Sequence, residues 1–273
     1  MLRKAAVAGT FYPSDAGELA AQIDRYASAQ PDATSETEKS AAIACVVPHA
    51  GYMYSGHVAG TVYASLKIPN RCILLGPRHF PYGQPMAIFS EGAWQTPLGE
   101  ARIDAELAAK LAYVCPSLRY DPVAHEREHS LEVQIPFLQR LAGDFQFVPV
   151  VLATDRFPAM EALGNAVAQV VKESGQPILI IASSDMNHYE SDAVTRVNDE
   201  RAIERILALD ARGLYDRVRN EGITMCGYAA TVAMLVAARE LGASKTQLVR
   251  YATSGNINGD RSRVVGYAGM IIR

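Results

Sequence analysis

The sequence lacks the features that mark several large classes of protein. No apolar run approaches the roughly eighteen residues that a membrane-spanning helix needs. The formal net charge is only −3, so the basic excess typical of nucleic-acid-binding proteins is missing. The apolar stretch that follows Arg3 and Lys4 is too short for the core of a signal peptide. We therefore expect a cytoplasmic protein that binds neither nucleic acid nor membrane.

Cysteine is also scarce, with four residues in 273. A disulfide framework is not expected in a cytoplasmic protein. Cys45 and Cys72 lie inside apolar runs and are predicted to be buried, whereas Cys115 precedes a proline at a predicted helix end. Cys226 differs, because it lies between a polar segment and a predicted helix. A thiol in that place is accessible, and the helix N-terminus favours its thiolate.

The remaining composition is that of an ordinary globular protein, with 49% hydrophobic and 20% charged residues. Apolar strands alternate with amphipathic helices along the whole chain. This alternation predicts an α/β fold, a three-layer α/β/α sandwich with a central, mostly parallel or mixed sheet. We expect one domain over residues 1–273. The polar stretch from Ser28 to Ser40 is predicted to be an exposed connection within it.

Three apolar strands run directly into loops that carry a histidine. His49 follows the run from Ile43 to Val47, and His79 follows the run from Arg71 to Leu75. Asp185 and His188 follow the run from Pro177 to Ala182. Continuous apolar runs indicate strands that are buried on both faces, as in a parallel sheet. Open α/β sheets place their chemistry at the carboxyl ends of such strands, so we expect these loops to converge.

Two of these histidines and one cysteine form a candidate metal-binding set. His49, His79 and Cys226 would supply two imidazoles and a thiolate and leave positions open for water or substrate. The alternative is that both imidazoles are loop residues hydrogen-bonded to backbone. Asp185 and His188 are candidates for a base oriented by a carboxylate, or for support of the metal. Their alternative roles are a helix cap and a surface imidazole.

Three further residues are candidates for substrate contact or for support of the site: His129, Arg78 and Tyr52. His129 also fits the start of a helix, and Arg78 fits either an anion receptor or an exposed arginine. Tyr52 can form the wall of a pocket or pack in the core. No chemistry is assigned to His57 or to His125, and His125 is expected to be solvated.

The order of these motifs resembles that of the Memo family, whose bacterial and archaeal members are called AmmeMemoRadiSam system protein B. The matching segments are Pro48-His49-Ala50-Gly51-Tyr52, Gly76-Pro77-Arg78-His79, Glu128-His129-Ser130-Leu131-Glu132, Ser183-Ser184-Asp185-Met186-Asn187-His188, Cys226-Gly227 and Gly266-Tyr267-Ala268. The resemblance implies a fold similar to that of the class III extradiol dioxygenases, the LigB-like group.

By that likeness, His49 and His79 would be metal ligands, and Cys226 would stand where the dioxygenases use a carboxylate. His188 would correspond to their catalytic histidine, with Asp185 beside it. The family is associated with iron or copper and with redox activity. A thiolate is softer than a carboxylate and suits iron, zinc or copper(I).

We therefore expect an oxidoreductase, iron-dependent or copper-linked, that acts on an unidentified small molecule or peptide. One alternative is a zinc-dependent hydrolase. Another is a non-enzymatic module that binds a peptide or protein in the same cleft. The family name also implies partners from a radical-SAM system, and the protein is expected to be a monomer or a homodimer.

Overall fold

The computed structural model describes residues 1–28 and 39–273. In these residues, strands and helices are interspersed along the chain, and the strands form one sheet. The strands are β1 (Leu2–Arg3), β2 (Ala44–Val47), β3 (Arg71–Pro77), β4 (Met86–Ile88), β5 (Ala93–Thr96), β6 (Gly99–Ile103), β7 (Arg119–Tyr120), β8 (Gln146–Leu152), β9 (Leu179–Ser183), β10 (His188–Glu190), β11 (Thr246–Thr253) and β12 (Val264–Ile272). The helices are α1 (Ala16–Ser28), α2 (Tyr52–Ala64), α3 (Ala105–Val114), α4 (Val123–Glu126), α5 (Ile135–Leu141), α6 (Phe157–Ser174), α7 (Asp192–Leu207), α8 (Ala211–Glu221), α9 (Tyr228–Glu240) and α10 (Gly255–Asn258).

The centre of the sheet is parallel and its margins are mixed. The strand order is β1-β5-β6-β8-β3-β9-β2-β12-β10, with β11 paired to β12 and β4 paired to both β7 and β8. The four central strands β8, β3, β9 and β2 are parallel, and β12 joins β2 in the antiparallel direction. All four central strands therefore end at the same edge of the sheet.

Side chains of the central strands alternate between two hydrophobic layers. In β2, Ala44 and Val46 pack into one layer, while Cys45 and Val47 pack into the other. Helices α3, α6, α7, α8 and α9 contribute to the first layer, and α1, α2 and α5 contribute to the second. The predicted α/β fold with helices on both faces of a mixed sheet is thus confirmed.

The apolar stretch from Met86 to Trp94 has the composition of one strand, but two separate strands occupy this region. A turn at Gly92, with φ of +92°, separates β4 from β5. The carbonyl oxygen of Met1 lies where a Cβ atom on Gly92 would be, so a side chain there would collide with it. Strand β1 pairs with β5 at this point, and this long-range contact determines where the chain turns.

Specific contacts define the starts of two helices. Ser14 and Asp15 are both good capping residues by type, and the side chain of Asp15 caps α1 by accepting a hydrogen bond from Glu18 N at 2.8 Å. Helix α2 begins at Tyr52, where the Tyr52 N–H donates to the carbonyl of Phe11. The predicted polar connection between Ser28 and Ser40 falls mostly on residues 29–38, which lie outside the described residues.

Cys45 and Cys72 are buried in strands as predicted, and all four cysteines are free. Among residues 1–28 and 39–273, no helix combines the length and the apolar character needed to cross a membrane.

Candidate metal centre

The carboxyl ends of β2, β9 and β3 are adjacent, and they bring histidines from distant parts of the sequence together. His49 follows β2 and His79 follows β3, and the strand between them ends at Ser183. The centroids of the His49 and His79 rings are 5.2 Å apart. The strand-end histidines of β2 and β3 therefore meet at one edge of the sheet.

His129 completes a cluster of three imidazoles. Its ring centroid lies 5.6 Å from that of His49 and 4.4 Å from that of His79, on which it stacks. Each of the three residues offers a ring nitrogen, and these nitrogens all lie within 4.8 Å of one another. These three histidines can therefore hold a metal ion.

Hydrogen bonds determine which nitrogen of His49 is free. Its Nδ1 lies 2.9 Å from the Ser183 hydroxyl oxygen. That hydroxyl already uses its only hydrogen to donate to the carbonyl of Ser130, at 2.6 Å, and it also accepts from Gln134 Nε2. His49 Nδ1 must therefore donate, and the lone pair is on Nε2. This Nε2 lies 3.2 Å from the sulfur of Cys226.

Glu128 fixes His79 in the same way. His79 Nδ1 lies 2.8 Å from the Glu128 carboxylate, which can only accept, so in the neutral ring Nε2 carries the lone pair. The carboxylate also accepts from the backbone N–H groups of His79 and Ser130. A carboxylate on the outer nitrogen of an imidazole is a common support of metal-binding histidines. Sequence reasoning missed Glu128, although it directly precedes the candidate His129.

Burial and neighbouring charges favour binding of a cation at this cluster. Burial, with help from the charges of His79 and His129, lowers the pKa of His49 well below its usual value. Burial also lowers the pKa of His129, to about 4. Burial alone would raise the pKa of Glu128, but hydrogen bonds from His79 and Ser130 bring it to about 2. At neutral pH the site therefore combines the neutral imidazoles of His49 and His129 with the ionised carboxylate of Glu128.

Cys226 lies beside this cluster, at the start of α9. Gly227, which precedes the helix, donates its N–H to the Ser184 hydroxyl, and a Cβ at Gly227 would collide with the Ser183 carbonyl. This close approach places the Cys226 sulfur against His49. The predicted stabilisation of the thiolate is wrong for this environment, because burial, followed by the charge of Asp185, raises the thiol pKa despite the helix N-terminus.

Asp185 and His188 occupy different positions around the site. Asp185 is buried, and its Oδ1 accepts from the backbone N–H groups of His49 at 2.7 Å and Ala50 at 3.2 Å. It therefore fixes the loop that carries His49 and does not cap a helix. Burial raises the pKa of Asp185, against the lowering effects of His188 and of these two N–H groups. His188 is partly exposed, and its Nδ1 lies 2.9 Å from the carbonyl oxygen of Thr224.

Arg78 and Tyr52 make their contacts within the protein. The Arg78 guanidinium donates to the carbonyl groups of residues 82–84, and so braces the loop that follows His79. Tyr52 is buried, and its hydroxyl donates to the carbonyl of Val133 at 2.7 Å. Tyr52 is thus a core residue beneath the site.

The expectation that His125 is solvated is wrong. The residue is fully buried, and its ring packs against Phe89 and Trp94, with centroids 5.8 and 5.7 Å away. Neither ring nitrogen makes a hydrogen bond of normal geometry, and the backbone of Ala87 offers only a weak one. Charged residues follow His125 in the sequence, so the sequence pattern does not predict this apolar packing.

Comparison with known proteins identifies the family. A family model described as "Memo-like protein" matches residues 3–271. The chain belongs to the Memo family. A MEMO1 family protein of Methanopyrus kandleri is 41% identical over 100% of this chain and 99% of its own length. A MEMO1 family protein of Methanosarcina mazei is 39% identical over 99% of both chains. The resemblance of the motifs is thereby confirmed over nearly the whole Memo-family chain.

A solved structure supports the fold of this Memo-family protein. The crystal structure of the uncharacterized protein JW3007 from Escherichia coli K12 superposes with a TM-score of 0.53. It covers 84% of this chain and 98% of its own, at 13% sequence identity. This similarity extends to the fold alone.

Proposed function

We propose that this protein is an iron-dependent oxidoreductase, in which His49, His79 and Cys226 hold the metal. The observation that carries the proposal is the state of the two imidazoles. Each commits Nδ1 to an oxygen acceptor and leaves the lone pair to Nε2, and the Cys226 sulfur lies 3.2 Å from Nε2 of His49. Two imidazoles with an adjacent thiol are a suitable donor set for iron, and copper(I) is the next candidate.

His129 is the alternative third donor, because its ring nitrogen lies in the same cluster. Its ring packs between His79 and Phe11, with centroids 4.4 and 4.6 Å away. When Cys226 is the third ligand, His129 is left to contact substrate or to support the metal. Substitution of each residue in turn distinguishes these roles.

The residues around the donors fit an acid–base function. Bound iron would supply electron transfer and activation of oxygen. His188 would exchange a proton with the substrate, since its Nε2 is free of the Thr224 hydrogen bond. Asp185 would keep His49 in place through the backbone hydrogen bonds described above. The substrate we propose is a small molecule or a peptide side chain.

Elemental analysis of protein purified without oxygen, added metal or chelator tests this proposal. We expect bound iron in the wild type, and loss of most of it in His49→Ala and in Cys226→Ser. His57→Ala is the matched control, because His57 is a partly buried histidine on α2 outside the cluster. Equal metal content in all of these proteins would contradict the proposal. Loss in His129→Gln with retention in Cys226→Ser would make His129 the third ligand.

The same donors favour a second candidate, a zinc-dependent hydrolase, because two imidazoles and a thiolate also form a zinc set. Zinc in place of iron, together with anaerobic hydrolysis of esters or amides, would establish it. Oxygen consumption by the iron-loaded protein would support the oxidoreductase. Partner binding that survives His49→Ala combined with His79→Ala would instead indicate a binding module.

A further inference from the structure

His188 is held by two hydrogen bonds to one residue. The Thr224 carbonyl lies 2.9 Å from His188 Nδ1, and the Thr224 hydroxyl oxygen lies 2.7 Å from the His188 backbone nitrogen. A carbonyl oxygen can only accept, so Nδ1 must carry a hydrogen. In the neutral ring, Nε2 then has the lone pair, and it is the only nitrogen that can take up a proton.

Asn187 fixes Thr224 in turn. Its side-chain oxygen accepts from both the backbone N–H and the hydroxyl of Thr224, each at 3.0 Å. The Asn187 backbone N–H donates to Asp199 at 2.8 Å, and the other oxygen of Asp199 accepts from the Tyr251 hydroxyl at 2.6 Å. Asn187 and Asp199 are fully buried. A continuous set of hydrogen bonds thus connects helix α7 to the His188 backbone.

The backbone around His188 has a conformation that the surrounding structure must maintain. Tyr189, the next residue, has φ of +64°, which is costly for a bulky side chain. The pairing of β10 with β12 is irregular at the same point, between His188 and Glu190. The Asp199 carboxylate can approach β12 closely because residue 266 is a glycine, and a Cβ atom at Gly266 would collide with that carboxylate. Such strain persists only where several contacts determine the geometry.

From this geometry we infer that Thr224 and Asn187 are positioning residues, which hold His188 in the tautomer protonated on Nδ1 and direct its Nε2 to exchange the proton. The inference rests on the acid–base role proposed for His188. The role then depends on a single ring nitrogen, Nε2 of His188. Thr224 and Asn187 select that nitrogen by positioning the ring rather than by contacting the substrate.

Nitrogen NMR of the histidine rings tests the inference. The full-length protein is labelled with ¹⁵N and loaded with zinc, so that no paramagnetic ion broadens the signals, and the His188 signals are assigned by their loss in His188→Gln. We expect wild-type His188 to be protonated on Nδ1 at a pH where the ring is neutral. Thr224→Val keeps the carbonyl that accepts from Nδ1 but removes the hydroxyl that fixes the His188 backbone against it. The ring hydrogen bond should therefore weaken, and the ratio of the two tautomers should fall by up to about tenfold, the value of one whole hydrogen bond. Thr224→Ser should restore the wild-type ratio.

Wild-type His188 protonated on Nε2, or an unchanged ratio in Thr224→Val, would overturn the inference. If Thr224→Val fails to fold, Asn187→Ala removes the acceptor of the same hydroxyl and should give the same shift; an unchanged ratio there would also overturn it. The metal content of native preparations of these variants separates the two proposals. Absence of iron in the wild type would contradict the proposed function and leave the tautomer result intact. Variants that keep both the iron content and the tautomer ratio of the wild type would contradict only the positioning role.

Discussion

Replacement of Arg3 by methionine should destabilise the protein by about 3 kcal/mol. Arg3 is 6% exposed, and its guanidinium forms a 2.7 Å ion pair with Glu132. The same group donates to the carbonyl groups of His125 and Glu128, each at 2.7 Å, and lies 4.1 Å from the centre of the Trp94 ring. Arg3 thus fixes the segment that supplies both Glu128 and His129 to the candidate metal centre.

The magnitude follows from the charge that this change leaves behind. Removal of one partner of a buried ion pair typically costs about 3–5 kcal/mol, because the other charge stays buried without compensation. The cost should be at the lower end here, because Glu132 keeps hydrogen bonds from Tyr12 Oη, Ala6 N and Val7 N. A chain of this size loses about 2–4 °C in unfolding temperature per kcal/mol, so we expect a loss of about 6–12 °C.

Thermal unfolding and urea titration of the variants measure this effect. Lys4→Met is the matched control, because Lys4 is the exposed neighbour, and it should stay within about 0.5 kcal/mol of the wild type. Arg3→Met combined with Glu132→Gln should lose less than the sum of the two single changes, since no isolated charge remains. A loss of less than about 1 kcal/mol in Arg3→Met would refute the reasoning from the buried charge.

Three further substitutions test other parts of the structure. Burial lowers the pKa of His125 to about 3, so the unfolded chain takes up the proton first as the pH falls below 6.5. The wild type should therefore lose about 2 kcal/mol between pH 6.5 and pH 5 through this residue, and His125→Phe should not, as shown by unfolding temperatures at both pH values. Burial raises the pKa of Asp199 to about 7, so the folded protein binds this proton more tightly, and the resulting stability is lost as the pH rises from about 4 through 7. Asp199→Asn should flatten that decline in urea midpoints measured from pH 4 to pH 8. Glu128→Gln should weaken metal binding about 10–100-fold in a competition titration, because it removes the carboxylate that holds His79.

An equally steep loss of stability in acid for His125→Phe and wild type would show that His125 does not cause it. The Asp199 prediction fails if Asp155→Asn, at an exposed position, changes the pH profile as much. Glu128→Gln should be compared with Glu126→Gln, whose side chain is exposed, and equal metal affinities would exclude the carboxylate support.

The central sheet was predictable because its strands are continuous apolar runs. Strand β9 was expected at Pro177 to Ala182 and occupies Leu179–Ser183, and β3 was expected at Arg71 to Leu75 and occupies Arg71–Pro77. The meeting of His49 and His79 follows from the rule that parallel strands end at one edge. These inferences needed only hydrophobic pattern and topology, both of which are local or general.

The contacts that support the site were not predictable, because they join segments that are far apart in sequence. The partners Arg3 and Glu132 are 129 positions apart, and His79 and Glu128 are 49 apart. The segment from Ala124 to Gln134 is rich in charge and has the pattern of a surface helix. In the folded protein Glu128, Glu132 and His125 are all buried. Glu132 pairs with the buried Arg3, Glu128 accepts from His79, and aromatic rings surround the imidazole of His125.

The distances along the chain between the proposed metal ligands and their supporting contacts have a consequence for how the protein folds. Cys226 meets His49 across 177 positions, and His49 meets its supporting residue Ser183 across 134. No short stretch of the unfolded chain contains the proposed ligands His49, His79 and Cys226, so a cation cannot nucleate folding as it does in a zinc finger. Parallel strands with such separations pair slowly, because the long intervening loops must close first. Metal uptake should therefore be a late event, and its rate would report when the β3-β9-β2 pairing is complete.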